Sequence, residues 1–410
     1  SKAKERGWLL GDDTQTSPAL YARTEEFDLE IGLEPVKGLK ITLTTNRTDS
    51  RTSQIMFMYD DMNTTYSGSY TKTHCAILTA LKGSSAKDGY ASETFNKFLQ
   101  NVPVIAERLQ RRYNGTTYPT TGFMQNHSLA GQPFNAENGG VNRSGSDVLI
   151  PAFVAAYTGQ SPDKVNLDPF PGLGAMLPNW RITYDGIGKI EWFRKLFRSF
   201  TLTHAYQCTY SVGSFTSYSD WISIGDGLGF SRNELTQNPY PTSPYNISSV
   251  AITEKFAPLI GVSATMYNNI TVNAEYRDSR TLTLNSSAGQ LVEANSKSFV
   301  IGGSYKIANF NSILKIGGQQ QGVNHDMTIN ADFSLSNNNA LIRKIESNTA
   351  QATSGTRTIS INLTADYVLS KRLTVGAYFD HQINTPLVSS TAYPTTNTNF
   401  GISINLSLTR

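Results

Sequence analysis

Residues 399–410 read NFGISINLSLTR and alternate without a fault. Phe400, Ile402, Ile404, Leu406 and Leu408 share one parity, and Gly401, Ser403, Asn405, Ser407 and Thr409 share the other. A period of two over that length specifies a strand with one apolar and one polar face. A soluble sheet buries such a row against a second layer, whereas an outer-membrane barrel turns it to lipid. The rest of the chain must decide which solvent this face meets.

The composition favours lipid. Only 16% of the 410 residues are charged, against about 25% in soluble domains. Uncharged polar residues take up the difference. A net charge of +3 leaves no nucleic-acid footprint. No apolar run approaches the roughly 18 residues of a spanning helix. Cys75 and Cys208 lie far apart and form no CxxC pairing.

Alternation begins at Phe27, Leu29, Ile31 and Leu33, turns over 35–38 and returns through Leu39, Ile41 and Leu43. Asp-Ser-Arg-Thr then follows at 49–52 and recurs at 278–281 after another alternating run. A looser third case reaches Leu341, Arg343 and Ile345. These read as strands that leave the membrane, pass a bulge and continue into solvent. Further alternating runs occupy 180–184, 200–212, 260–276, 299–307, 327–335 and 359–379. The expected fold is all-β, a transmembrane antiparallel β-barrel. About eleven strands are expected, as part of a larger barrel.

The expected organisation is a loop or tail over 1–24 and a barrel hairpin over 25–59. A partly helical extracellular insertion over 60–178 and barrel strands over 179–410 follow. Within the insertion, 70–81 is a candidate strand. Ser92 or Thr94 caps a helix that Pro103 interrupts, and Ser146-Asp147 caps another. Short turns near 35–38, 188–199, 267–269, 308–323 and 370–372 oppose long loops at 213–246 and 384–398. That asymmetry places the turns in the periplasm and the loops outside the cell.

Parity assigns the faces. Phe400, Ile402, Ile404, Leu406 and Leu408 face lipid. Asp28, Glu30, Lys40, Arg181, Asp185, Glu275, Lys306, Asp332, Asp366 and Asp380 face a mildly acidic, water-filled lumen. Cys208 falls on the lipid parity, which argues against a disulfide. Phe193, Arg194, Lys195, Leu196 and Phe197 form a short basic amphipathic helix, suited either to the headgroup layer or to packing on the protein. The five histidines are scattered, and HExxH, GxSxG and a complete dinucleotide fingerprint are absent from the sequence. No enzymatic activity, metal or cofactor is expected.

Several stretches resemble the C-terminal part of the SprA/Sov family, the outer-membrane translocon of the type 9 secretion system in Bacteroidetes. They are DVLIPAFVAAYTG (147–159), PNWRITYDGI (178–187), FRSFTLTHAYQCTYSVGSF (197–215) and FAPLIGVSATMYNN (256–269). IRKIE (342–346), ISINLTADYVLSKRLTVGAYFDHQINTPLV (359–388) and NFGISINLSL (399–408) complete the set. The resemblance implies a very large single-chain barrel with a lateral opening, exporting folded proteins that carry type 9 signals. It implies as partners the N-terminal part of the same barrel, a PorV-type shuttle barrel, a periplasmic plug protein, secreted substrates and outer-membrane lipid. The alternatives are a small-solute porin or TonB-dependent receptor barrel, and a soluble or surface β-protein.

Overall fold

A computed structural model describes residue 6 and residues 18–55, 64–311, 324–368, 373–388 and 392–406. One antiparallel sheet dominates it. Its strands are β1 (Ala19–Val36), β2 (Leu39–Ile55), β3 (Thr64–Thr73), β4 (Asn179–Tyr184) and β5 (Phe197–Ser217). Then come β6 (Ile222–Gly225), β7 (Leu228–Arg232) and β8 (Pro239–Pro241), which form a separate small sheet. The main sheet continues with β9 (Tyr245–Met266), β10 (Ile270–Asn285), β11 (Gln290–Asn311) and β12 (Asn324–Lys344). It ends with β13 (Thr349–Val368), β14 (Leu373–Pro386) and β15 (Thr395–Leu406).

β3 and β4 share one lane between β2 and β5. The upper half of β2 pairs with β3 (Arg47 opposite Lys72), and its lower half pairs with β4 (Leu43 opposite Trp180). One strand is thus split, and residues 74–178 leave the sheet at the break. Among the described residues the path has eleven lanes, in agreement with the sequence count, and β1 and β15 each have a single partner. Every pairing is antiparallel, so β1 and β15 run the same way.

Register carries the apolar face across the sheet. Leu39, Tyr184, Leu202, Val262, Ala274, Ile301, Phe333 and Ile361 lie opposite one another in succession. Leu363, Phe379 and Phe400 continue the row. Leu29, Ile31, Leu33, Ile260, Phe299, Ile301 and Phe400 stay exposed, with no second layer over them among the described residues. A soluble sandwich would have covered this row. An exposed band of this kind, with a polar row behind it, is the signature of a membrane barrel wall.

Several boundaries differ from expectation. β1 starts at Ala19, inside the 1–24 stretch read as a tail, because Thr24 pairs with Ser50 and Arg23 with Arg51. The other described residues of that stretch are residue 6 and residue 18. The candidate strand over 70–81 ends at Thr73, and α1 (Ile77–Ala80) follows. α2 (Glu93–Tyr113) is unbroken: Ser92 Oγ accepts from Phe95 N at 3.2 Å, and Pro103 is accommodated inside. Phe98, Ile105, Ala106 and Leu109 of α2 are buried, and α2 packs on α3 (Ser146–Thr158). This burial outweighs one lost backbone bond. Gly145, not Ser146, caps α3.

The expected bulges also shift. β1 and β2 pair without irregularity through 49–52. Beside β10 the extra residues belong to β9, between Phe256 and Ile260, and β12 meets its irregularity at Ala340–Leu341. The loops narrow to 218–244 and 387–394, because the strands run further than the alternation suggested. The 185–196 and 267–269 connections lie at the same end as the β1–β2 turn, here called the base. The opposite, upper end carries 218–244 and 387–394 but also two tight turns, 286–289 and 345–348. The turn at 370–372 and most of 308–323 lie outside the described residues.

Candidate functional site

The apolar face does not end at the band. Along β10 the parity of Ile270, Val272, Ala274 and Tyr276 continues as Asp278, Arg280, Leu282 and Leu284, all four buried. Along β11 and β12 it continues as Glu293, Leu291, Leu341 and Arg343. Residues 74–178 cover this upper zone. The insertion therefore stands on the same face as the lipid row, beyond its upper edge, and not on the polar face.

Two buried ion pairs seat it. Arg280 Nε donates to Glu254 Oε2 at 3.0 Å, Nη1 to the Thr79 carbonyl at 2.8 Å and Nη2 to Thr79 Oγ1 at 3.0 Å. The Tyr206 hydroxyl donates to Glu254 Oε1 at 2.6 Å and accepts from Ala76 N at 2.9 Å. Arg343 Nε donates to Glu293 Oε2 at 3.0 Å, Nη1 to the Tyr90 carbonyl at 2.6 Å and Nη2 to Ser84 Oγ at 2.8 Å. Tyr157 and Phe95 lie over the two guanidiniums at 5.8 and 5.7 Å. Each arginine thus spends one edge on a wall carboxylate and the rest on the insertion, which satisfies its planar donor fork.

The recurring Asp-Ser-Arg-Thr has a common meaning. Asp49 and Arg51, like Asp278 and Arg280, occupy alternate positions on this face just above the apolar band. Asp49 accepts from Arg47 Nη2 at 3.0 Å and from Arg51 Nε at 2.9 Å. The motif marks where lipid gives way to protein cover, rather than where a strand enters solvent. Cys208 follows the same rule. It is free, as expected, but buried beneath the insertion rather than lipid-facing.

His74 sits where β3 leaves the sheet, with its backbone N bonded to the Cys208 carbonyl at 2.9 Å. Both ring nitrogens are buried without a partner. Burial, then the neighbouring Lys72 ammonium, push its pKa down to about 4. Lys72 itself is pushed down to about 8 by burial, and donates to the Ala175 carbonyl at 2.8 Å. Asp168 and Tyr210 line the same cavity of about 240 Å³. Between the unfolded value of 6.5 and the folded value near 4, only the unfolded chain binds the proton. Stability of the insertion is therefore complete above pH 6.5 and falls as pH drops toward 4. Protease protection of residues 74–178, followed against pH, is expected to show this loss. His74→Phe should flatten the profile, and an unchanged profile in that variant would rule His74 out as its source.

The sequence-assigned charges mostly occupy the polar face. Asp28, Glu30, Lys40, Arg181, Glu275, Lys306, Asp332, Asp366 and Asp380 all lie on the parity opposite the apolar row. Glu275 pairs with Arg277, and Lys306 with Asp326 at 2.8 Å. Asp332 faces Gly302, where a Cβ would come within 2.3 Å of its Oδ1, so the glycine makes room for the carboxylate. Asp185 is the exception. It lies past the end of β4, in the base turn, paired with Lys189 at 2.9 Å. Lys255, on the polar parity of β9, is an addition to this face.

The basic amphipathic segment is a short helix that starts earlier and ends one residue sooner than the sequence suggested. α4 (Glu191–Leu196) holds Phe193, Arg194, Lys195 and Leu196, while Phe197 opens β5 because it already pairs with Met266. Phe193 packs on Phe197 and Phe200, with centroids 5.9 and 5.1 Å apart. Phe200 belongs to the apolar row, so α4 folds onto the lipid face at its base. Phe400, Ile402, Ile404 and Leu406 are exposed on β15; Leu408 lies outside the described residues. Among the described residues no three His, Cys, Asp or Glu side chains could together hold a metal ion, and no helix is long and apolar enough to cross a membrane.

The sequence matches no family model and no curated protein. Among solved structures, the chain is similar to the beta domain of the Bordetella autotransporter BrkA, at 8% identity and a TM-score of 0.24. The alignment covers 95% of this chain and 91% of that one. It is also similar to OmpT, an outer membrane protein of Vibrio cholerae in its trimer form, at 9% identity and a TM-score of 0.24, over 95% and 99% of the two chains. The sheet's own register and its uncovered apolar band, rather than these distant likenesses, carry the fold. The chain is a transmembrane β-barrel wall with a helical insertion seated on its apolar face.

Proposed function

We propose that this wall belongs to a protein-conducting translocon that exports folded substrates of the type 9 secretion system. The observation that carries the reading is that, among the described residues, the sheet has eleven lanes and its edge strands run the same way. Closing it on itself would need a parallel seam, whereas single-chain bacterial barrels close with even, antiparallel strand numbers. The SprA-like segments, in their order and spacing, point to the same family of large barrels.

In this reading further strands from the N-terminal part of the same barrel continue the wall beside its edges. The upper loops and the insertion stand outside the cell, and the base turns stand in the periplasm. α4, with Phe193, Arg194, Lys195, Leu196 and the adjoining Phe197, lies in the headgroup layer. The polar face lines a conduit for substrates, and a PorV-type shuttle barrel and a periplasmic plug protein are its working partners. The role is transport, without catalysis.

Deleting this segment in the native protein is expected to stop secretion of type 9 cargo while small-solute uptake persists. Lost uptake with intact secretion would replace this reading with a receptor or porin.

A further inference from the structure

The lower rim of the insertion has a composition that the ion-pair seat does not explain. α3 descends the wall. At its start Asp147 Oδ2 accepts from Thr242 Oγ1 at 3.1 Å and Ser243 N at 2.8 Å, beside the upper loop. At its end Tyr157 lies over Arg280. Gly159 follows in the left-handed region, and a Cβ there would meet Leu78 Cδ1 at 3.0 Å. α1 and the end of α3 thus meet beside Arg280, four residues above Tyr276 of the apolar band.

On that rim Thr79 is buried against Arg280, while Ile77, Leu78 and Leu81 point outward, Leu78 at 70% and Leu81 at 60% exposure. Beside them a cavity of about 100 Å³ is lined by Ala80, Lys82, Asp278, Asn295, Lys297 and Asn339. Asp278 and Lys297 lie two residues above Tyr276 and Phe299, members of the band, which is a step of about 7 Å along a strand. Lys297 is 3.5 Å from Asp278 and Lys82 is 3.2 Å from Glu93, and both ammoniums stay half exposed.

We infer that this rim lies in the interface of the adjoining leaflet: Ile77, Leu78 and Leu81 rest at the headgroup–acyl boundary, and an anionic lipid phosphate sits at Lys82 and Lys297. Position decides the occupant. The exposed rim stands above the band across a step of amides and ammoniums, at the height where a headgroup belongs. Apolar side chains beside basic ones are the pattern of an element lying in a membrane interface. The inference rests on the wall's membrane placement and not on what the barrel transports.

The test uses the full chain, with an environment-sensitive fluorophore on Leu78→Cys or Leu81→Cys in a Cys75→Ser background. The protein is reconstituted in phosphatidylethanolamine–phosphatidylglycerol vesicles containing spin-labelled lipid. Labels at 78 and 81 should be quenched most by a spin label near the headgroup, and a Leu363→Cys reference in the band by one deep in the acyl chains. A label at Asn138→Cys, exposed on the side of the insertion near Pro239, should be unquenched. A dry rim beside a quenched residue 363 would overturn the inference, whereas loss of quenching at both would overturn the membrane placement itself. A higher phosphatidylglycerol fraction should deepen quenching at 78 in the parent but not in Lys82→Gln/Lys297→Gln. An equal response in both would remove the phosphate from the proposal.

Discussion

Arg280→Ala is expected to release the insertion from the wall, at a cost of about 3–5 kcal/mol, while the strands below remain assembled. The magnitude follows from what remains. Glu254 is only 2% exposed, and without the guanidinium its carboxylate keeps one donor, the Tyr206 hydroxyl. The Thr79 carbonyl and hydroxyl each lose a charged donor in the same step, the carbonyl keeping Lys82 N and the hydroxyl still donating to the Tyr157 carbonyl. An uncompensated buried charge is far more costly than a missing ion pair, so Glu254→Met combined with Arg280→Met should recover much of the loss. Protease cleavage within 74–178 reports the release, and heat-modifiable migration on a gel reports the wall. Unchanged cleavage in Arg280→Ala would mean that the seat lies elsewhere, with Arg343 and Glu293 the next pair to examine.

The band was legible because it is local. A period of two needs no knowledge of what pairs with what, so the faces of Phe400, Leu363 or Asp332 follow from parity alone. The seat was not legible for the opposite reason. Arg280 and Thr79 are 201 residues apart, and Arg343 and Ser84 are 259 apart. A charge on an apolar parity reads locally as a strand entering water. The one sequence signal was the repeated Asp-Ser-Arg-Thr, whose first and third residues share the apolar parity, as do Leu341, Arg343 and Ile345. Asp185 failed because parity has no meaning past a strand's last hydrogen bond. Pro103 failed because helix propensity ignores the buried face that holds α2 together.

Seat and band also constrain each other. Burial of Tyr206, Cys208 and Arg280 on the lipid parity marks the height at which protein replaces lipid on this wall. α4, folded onto Phe200 at the base, marks the other limit. The lipid-facing zone is thus bracketed by two elements of this chain, each carrying exposed apolar residues beside lysines.

Leu363→Arg and Asn362→Arg test that zone directly. The two residues are adjacent on β13, and the strand's pleat sends them to opposite faces. Leu363 lies between Ala331 and Phe379 in the middle of the band. A charge at the midplane of a barrel's lipid face costs about 2–4 kcal/mol, because its hydration is lost without a partner in return. Asn362 lies between Asp332 and Asp380 on the polar face. An arginine there meets two carboxylates and water, so it should assemble like the parent. Leu363→Arg should therefore sharply reduce the heat-modifiable, membrane-integrated fraction, and Asn362→Arg should leave it intact. The comparison holds strand, sequence position and substituent charge constant and varies only the solvent each face meets. Equal losses would invert or abolish the facing, and with it the assignment of the acidic row to the conduit.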